Sequence, residues 1–305
     1  MPGMQGPLRF GCGIGRGIDR AFVIALEAGR SPTTTSDRYL LEWTGEAGWS
    51  HRELVLTARG MAFADRGRQD LLVMGEAGHV LMISGREIVE ERLDPSLEGP
   101  RGRGNVRGVR LIGDHVYAVG MGRQVYRRDG PGIWSHCDTD VVRPVGALDI
   151  TGFSAIDGLV ESDLFAVGMG GEIWTRDDRG WRPVDSPTNV ILQCVRAVAP
   201  GLVYACGQQG VLLRGSPEGW EPVAHSSTRD DLWGMEWFED RLYVASSKAI
   251  FRLDGDDLHR VDTGLGDSFT YGELHAGEGA MWSFGAMNIA RTDGRAWMDS
   301  TPSVR

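Results

Sequence analysis

One phrase, used again and again, constrains this chain more than any other feature. At Leu164–Trp181 it reads LFAVGMGGEIWTRDDRGW: an apolar strand, a Gly turn, a second strand, a polar Asp/Gly turn, then Trp. It returns at Val116–Trp134 as VYAVGMGRQVYRRDGPGIW, at Val203–Trp220 as VYACGQQGVLLRGSPEGW and at Met281–Trp297 as MWSFGAMNIARTDGRAW. Fainter copies stand at Leu242–His259 and Leu71–Ile88, and the least regular begins at Ala21 and ends at Trp49. Short apolar runs bounded by Gly, Asp and Asn read as antiparallel strands joined by tight turns. Seven copies are therefore seven hairpins.

Each hairpin follows a further strand whose start carries a second marker. Phe10-Gly11, Arg59-Gly60, Arg107-Gly108, Thr151-Gly152, Gln193-Cys194, Trp233-Gly234 and Tyr271-Gly272 stand in corresponding places, their small residues 49, 48, 44, 42, 40 and 38 residues apart. A small residue fits there because innermost strands of a radial array crowd one another. A fourth segment follows the Trp, as in RPVDS after Trp181 and EPVAH after Trp220. Four strands per unit, a to d, repeated at about 40 residues, predict an all-β fold: a seven-bladed β-propeller of four-stranded antiparallel blades. The blades are expected near 8–56, 57–95, 105–142, 149–187, 191–226, 231–263 and 268–303, within one domain, 1–305. A β-sandwich or β-solenoid shows similar alternation but has no need of seven copies of one phrase. Long loops are expected at Glu27–Arg38 and Leu93–Asn105, with irregular insertions at Val142–Leu148 and Asp157–Asp163.

The turns before the Trp residues carry a resemblance. Arg128-Asp129-Gly130, Arg176-Asp177-Asp178 and Thr292-Asp293-Gly294 look like degenerate Asp-box (BNR) turns. With the VGxxG hairpin, the chain resembles the BNR/Asp-box-like β-propellers of the photosystem II stability/assembly-factor type over nearly its whole length. No copy keeps the Ser, Asp and Gly of the full S-x-D-x-G-x-x-W box together. The resemblance implies a propeller and a structural role for these turns; the fold does not dictate a function.

Chemistry is sparse. The seven histidines are scattered without HxH or HExxH spacing, which argues against a metal site. The Gly-rich run Gly11–Gly17 has no amphipathic helix behind it, so it is no phosphate loop. The four cysteines, Cys12, Cys137, Cys194 and Cys206, form no CxxC and read as small buried hydrophobes of a cytoplasmic protein. No apolar window is long enough for a membrane helix, and no secretion signal is visible. A formal charge of −10 disfavours nucleic acid and anionic membranes and favours a basic partner. The Arg-rich run Arg101–Arg110 lacks aromatic interleaving and reads as a solvated loop or a dock for an acidic patch.

In a meander of four strands, the b–c loops and d–a connections share one face and the a–b and c–d turns share the other. The first face gathers Arg59, Arg107, Gln193, Trp233 and Tyr271 at inner-strand starts, with Met121, Met169, Gln208 and Met287 on the b–c tips. Exposed tips such as Arg123 and Gln124 join them. Aromatic, Met and Arg residues are what protein interfaces enrich. The expectation is a monomeric, cofactor-free, non-catalytic binder of a protein, acting as a scaffold or assembly factor or as an inhibitor such as a cytoplasmic toxin-immunity protein. The alternative is a glycan-processing, sialidase-like enzyme in which Tyr271 and Glu273 pair as nucleophile. That alternative lacks an evident third arginine beside Arg59 and Arg107.

Overall fold

The computed structural model describes residues 7–27, 38–65, 67, 70–147 and 149–303. The expected loop at Glu27–Arg38 falls almost entirely outside them, as does Leu148. Among the described residues, seven four-stranded antiparallel sheets follow one another, each from four consecutive strands in meander order. The chain is a seven-bladed β-propeller. The blades run over 8–53, 58–92, 106–136, 153–184, 192–222, 232–260 and 272–299, within a few residues of the expected limits. The loop at 93–105 holds one helical turn, Pro100–Arg103.

Two compact units divide the chain. One comprises Ala58–Val223, blades 2 to 5; the other comprises Met1–Thr57 with Ala224–Arg305, blades 1, 6 and 7.

The VG of the repeated phrase has a steric cause. Strand b ends where the incoming d–a connection passes close by, so a Cβ on Gly168 would lie 1.9 Å from the Gly152 carbonyl oxygen, and one on Gly207 2.1 Å from that of Ile191. The next residue's N–H uses the same carbonyl: Met169 donates to Gly152 O at 3.0 Å and Gln208 to Ile191 O at 3.0 Å. The marker on the inner strands is likewise steric. A Cβ on Gly108 would meet Ser154 O of the next inner strand at 2.5 Å.

The core lies between neighbouring blades. In the unit of blades 2 to 5, Leu72, Val80, Val106 and Tyr126 close the first seam, Tyr117, Val119, Phe153 and Trp181 the second, and Phe165, Val167, Leu192 and Leu213 the third. The repeated Trp residues are equivalent in register. Trp134, Trp181, Trp220 and Trp297 sit opposite Arg128, Arg176, Gly215 and Thr292 at the start of strand d. Each packs on the seam with the preceding blade, and the Trp181 indole N–H donates to Cys137 O at 2.7 Å. The Arg of the Arg128-Asp129-Gly130 turn reaches back one blade, gripping Glu91 with two bonds of 2.6 and 3.0 Å.

In the other unit, blades 7 and 1 meet without exchanging a strand. The Phe10 N–H donates to Ala286 O at 3.0 Å, and the Gly13 N–H to the Glu273 carboxylate at 3.0 Å. The indoles of Trp49 and Trp282 donate to Ser300 O at 2.7 Å and Gly17 O at 2.8 Å. The Arg291 guanidinium lies over Trp43 at 4.4 Å and Trp282 at 5.6 Å. The four cysteines form no disulfide; Cys194 and Cys206 stand directly opposite each other on strands a and b of blade 5.

Candidate functional site

The inner strands begin with an irregularity that aims a side chain outward. In blades 2, 3, 5 and 6 the register slips by one residue at Arg59, Arg107, Gln193 and Trp233, each flanked by paired neighbours. Such a bulge bends the strand and redirects the extra residue. Sequence reasoning placed these four correctly and misplaced the fourth-blade member. There the slip falls at Ser154, between Phe153 and Ala155, three residues beyond Thr151. Gly152 is instead a linker glycine at φ +148 that bridges Met121. Blade 7 has no slip: Gly272 pairs with Gly285 directly, and Tyr271 lies just before the strand.

On blades 2 to 5, Arg59 is exposed and bonded to Glu76 on its own b–c tip, at 2.8 and 3.1 Å. Arg107 is exposed on the neighbouring inner strand and makes no hydrogen bond or ion pair with the described residues. Partial burial and the charge of Arg59 pull its pKa down. Met121, Met169, Gln193 and Gln208 are half-buried. The Gln208 side-chain oxygen accepts the Ile191 N–H at 3.3 Å.

The tips are braced. Arg123 is held at φ +58; its Nε lies 2.6 Å from Glu172, and its guanidinium covers the Trp174 ring at 4.9 Å. Glu172 also takes the Gly152 N–H at 2.7 Å. Gln124, expected at an exposed tip, is fully buried. Its amide donates to Gly104 O and Met121 O at 3.0 and 2.7 Å and accepts from the Tyr126 hydroxyl at 2.7 Å, so it is a clamp for the turn. Sequence reasoning also missed the apolar groups of the d–a connections, Leu97, Val145 and Ile150, the last 79% exposed. Their loops carry no periodicity that would flag them.

On the other unit, Trp233 is 44% and Met287 41% exposed. Lys248 on the blade 6 tip bonds Asp230 at 2.8 Å. Tyr271 is buried, its hydroxyl 2.5 Å from Thr263 Oγ1, and it lines a cavity of about 340 Å³ with Arg260, Asp262 and Asp267. Phe10 is buried too. The Tyr271 hydroxyl and the Glu273 carboxylate are thus committed to different partners, Thr263 and the Gly13 N–H. Burial raises the Glu273 pKa, and the Gly13 N–H opposes the rise. Among the described residues, no group of three or more His, Cys, Asp or Glu could hold a metal ion, and no helix is long and apolar enough to cross a membrane.

Comparison with known proteins decides the family. No family model matches the chain. Over 229 residues it is 41% identical to the immune protein Tsi7 of Pseudomonas aeruginosa, a match spanning 75% of this chain and 75% of that one. The chain belongs to the Tsi7 family. Two solved propellers are similar in fold. The WD40 propeller domain of Doa1 matches with a TM-score of 0.70 at 9% identity, covering 94% of this chain and 93% of that one. YCF48 from Cyanidioschyzon merolae matches with a TM-score of 0.69 at 15% identity, covering 94% and 96%. At those identities the likeness concerns architecture alone. The assembly-factor-type propeller that the repeat resembles is thus matched in fold, while the Tsi7 family is set by sequence.

Proposed function

We propose that this chain is an immunity protein that neutralises a toxin by binding it, without catalysis or a cofactor, as a cytoplasmic monomer. The observation that carries this reading is the 41% identity with the immune protein Tsi7 across three quarters of both chains. The site geometry supports it: tips braced by side-chain bonds present Arg, Met and Gln groups at small ordering cost. The proposed contact residues are Arg59, Arg107, Met121, Met169, Gln193 and Gln208 on blades 2 to 5, with Trp233 and Met287 on the other unit. Tyr271 contributes through the cavity that it lines. The net charge of −10 would speed the approach of a basic partner at low ionic strength.

The test is protection. The product of the gene adjacent to this one is expressed in a host lacking both, alone and with this chain. Growth arrest relieved by co-expression, together with a complex of the purified pair, is expected. Toxicity unaffected by the chain overturns the reading.

A further inference from the structure

The strands that line the inside of blades 2 to 5 have a charge opposite to that of the whole molecule. Strand a of these blades covers Ala58–Phe63, Val106–Ile112, Phe153–Val160 and Leu192–Ala199. Their charged side chains are Arg59, Arg107, Arg110 and Arg196 against one carboxylate, Asp157. That carboxylate is already spent within the wall. Arg110 reaches it at 3.2 Å from one side, Arg196 at 3.2 Å from the other, and the Ala197 N–H at 3.1 Å. At the start of the strands Arg59 is matched by Glu76. Other arginines of the same face also have acidic partners: Arg103 has Glu98, Arg123 has Glu172 at 2.6 Å and Arg143 has Asp149 at 3.0 Å.

Arg107 departs from this pattern. The bulge turns it out of the sheet, strand packing sets it beside Arg59, and no described residue neutralises it. The packing is close: a Cβ on Gly60 would lie 2.8 Å from Val109 of the adjacent inner strand. Arg101, exposed on the helical turn of the preceding loop, adds a further positive charge with no described partner. A guanidinium is a rigid fork suited to a carboxylate. Holding one beside another cation costs free energy that an incoming anion would recover.

We propose that these inner strands receive an acidic segment of the protein partner, with Arg107 taking a carboxylate from it. This deepens the immunity reading and rests on it for the existence of a protein partner. The long-range field of the chain and its local docking charge then differ in sign. A partner basic overall is drawn in, and one acidic stretch of it is selected at the inner strands.

The probe is a short poly-L-glutamate peptide, titrated into the intact protein by calorimetry at low salt, with poly-L-lysine as the counter-probe. The net charge of −10 opposes non-specific binding of a polyanion, so saturable binding identifies a local site. The expected result is binding of poly-glutamate that weakens about tenfold or more in Arg107→Ala. Arg107→Lys should retain part of it, and Arg179→Ala, on the exposed c–d turn of blade 4 between Ile173–Asp177 and Gly180–Val184, should leave it unchanged. Melting temperatures of all variants should match the wild type, since Arg107 holds nothing in place. No poly-glutamate binding, undiminished binding in Arg107→Ala, or an equal loss in Arg179→Ala overturns the proposal. Failure here with protection intact removes the acidic-segment assignment alone. Failure of protection with peptide binding intact removes the immunity reading instead.

Discussion

Glu91 and Glu273 carry opposite linkages between charge and stability. Burial alone would raise the pKa of Glu91, but the Arg128 guanidinium, the Gly132 N–H and the Trp134 indole hold it below the usual value of 4.5. Its carboxylate form is favoured by folding, so its contribution is present above pH 4.5 and fades as pH falls through the depressed value. Glu273 has the Gly13 N–H and no cation among the described residues, and burial raises its pKa. Its protonated form is the one favoured by folding, so that contribution exists at low pH and is lost as pH rises above 4.5 through the raised value. Glu91→Gln should cost roughly 3 kcal/mol at neutral pH by stranding Arg128. Glu273→Gln keeps an acceptor for Gly13 and should be neutral or stabilising. Denaturant titrations between about pH 4 and pH 8 check both. A destabilised Glu273→Gln at neutral pH, or an unaffected Glu91→Gln, would contradict these assignments.

At the scale of the element, the repeated strand-and-turn phrase makes blades legible. Alternation, Gly at the end of strand b and Trp at the start of strand d are local features, and the blade limits follow from them. What the chain does across blades is not local. Arg123 finds Glu172, Arg110 finds Asp157 and Arg128 finds Glu91 at separations of 49, 47 and 37 residues. No spacing rule within one strand announces such pairs. The linker before blade 4 offers a Thr-Gly that imitates the marker ahead of the true slip at Ser154, and hairpin spacing cannot tell an amide folded back onto carbonyls, as in Gln124, from one facing water. The Trp positions, in contrast, follow from the phrase itself, and they carry a graded expectation. Trp181 is buried on the blade 3 seam and bonded to Cys137 O, whereas Trp134 and Trp297 are half-buried. Trp181→Ala should cost about 3–5 kcal/mol, and the other two less. Equal losses measured by denaturant unfolding would show that the seams do not set the energetics.

Closure is the property of the whole molecule that the repeat could not reveal. A propeller can fasten its ends by completing one blade with strands from both termini. Here every blade is a run of four consecutive strands, so blades 7 and 1 are joined by side chains and a few backbone bonds. Trp282 stands at the centre of that join. It is fully buried, stacks on Phe284 at 6.0 Å, meets Trp43 and Trp49 at 6.4 and 6.5 Å, and donates to Gly17 O. A Cβ on Gly15 would fall 2.2 Å from its ring, which is why blade 1 needs glycine there. Removing this one indole empties a site shared by both blades and orphans the Gly17 carbonyl. Trp282→Ala should therefore cost about 5 kcal/mol, the upper end for a large aromatic truncation. The loss should also be placed in the chain: with the join loosened, amide exchange should accelerate first in Leu8–Gly17 and Gly272–Gly277, while Val106–Ile112 and Leu192–Ala199 keep their protection. Native-state hydrogen exchange on this variant reads both outcomes. A uniform loss of protection across all inner strands would mean that the join is no weaker than any other seam, and that closure without a shared blade costs the protein nothing in local stability.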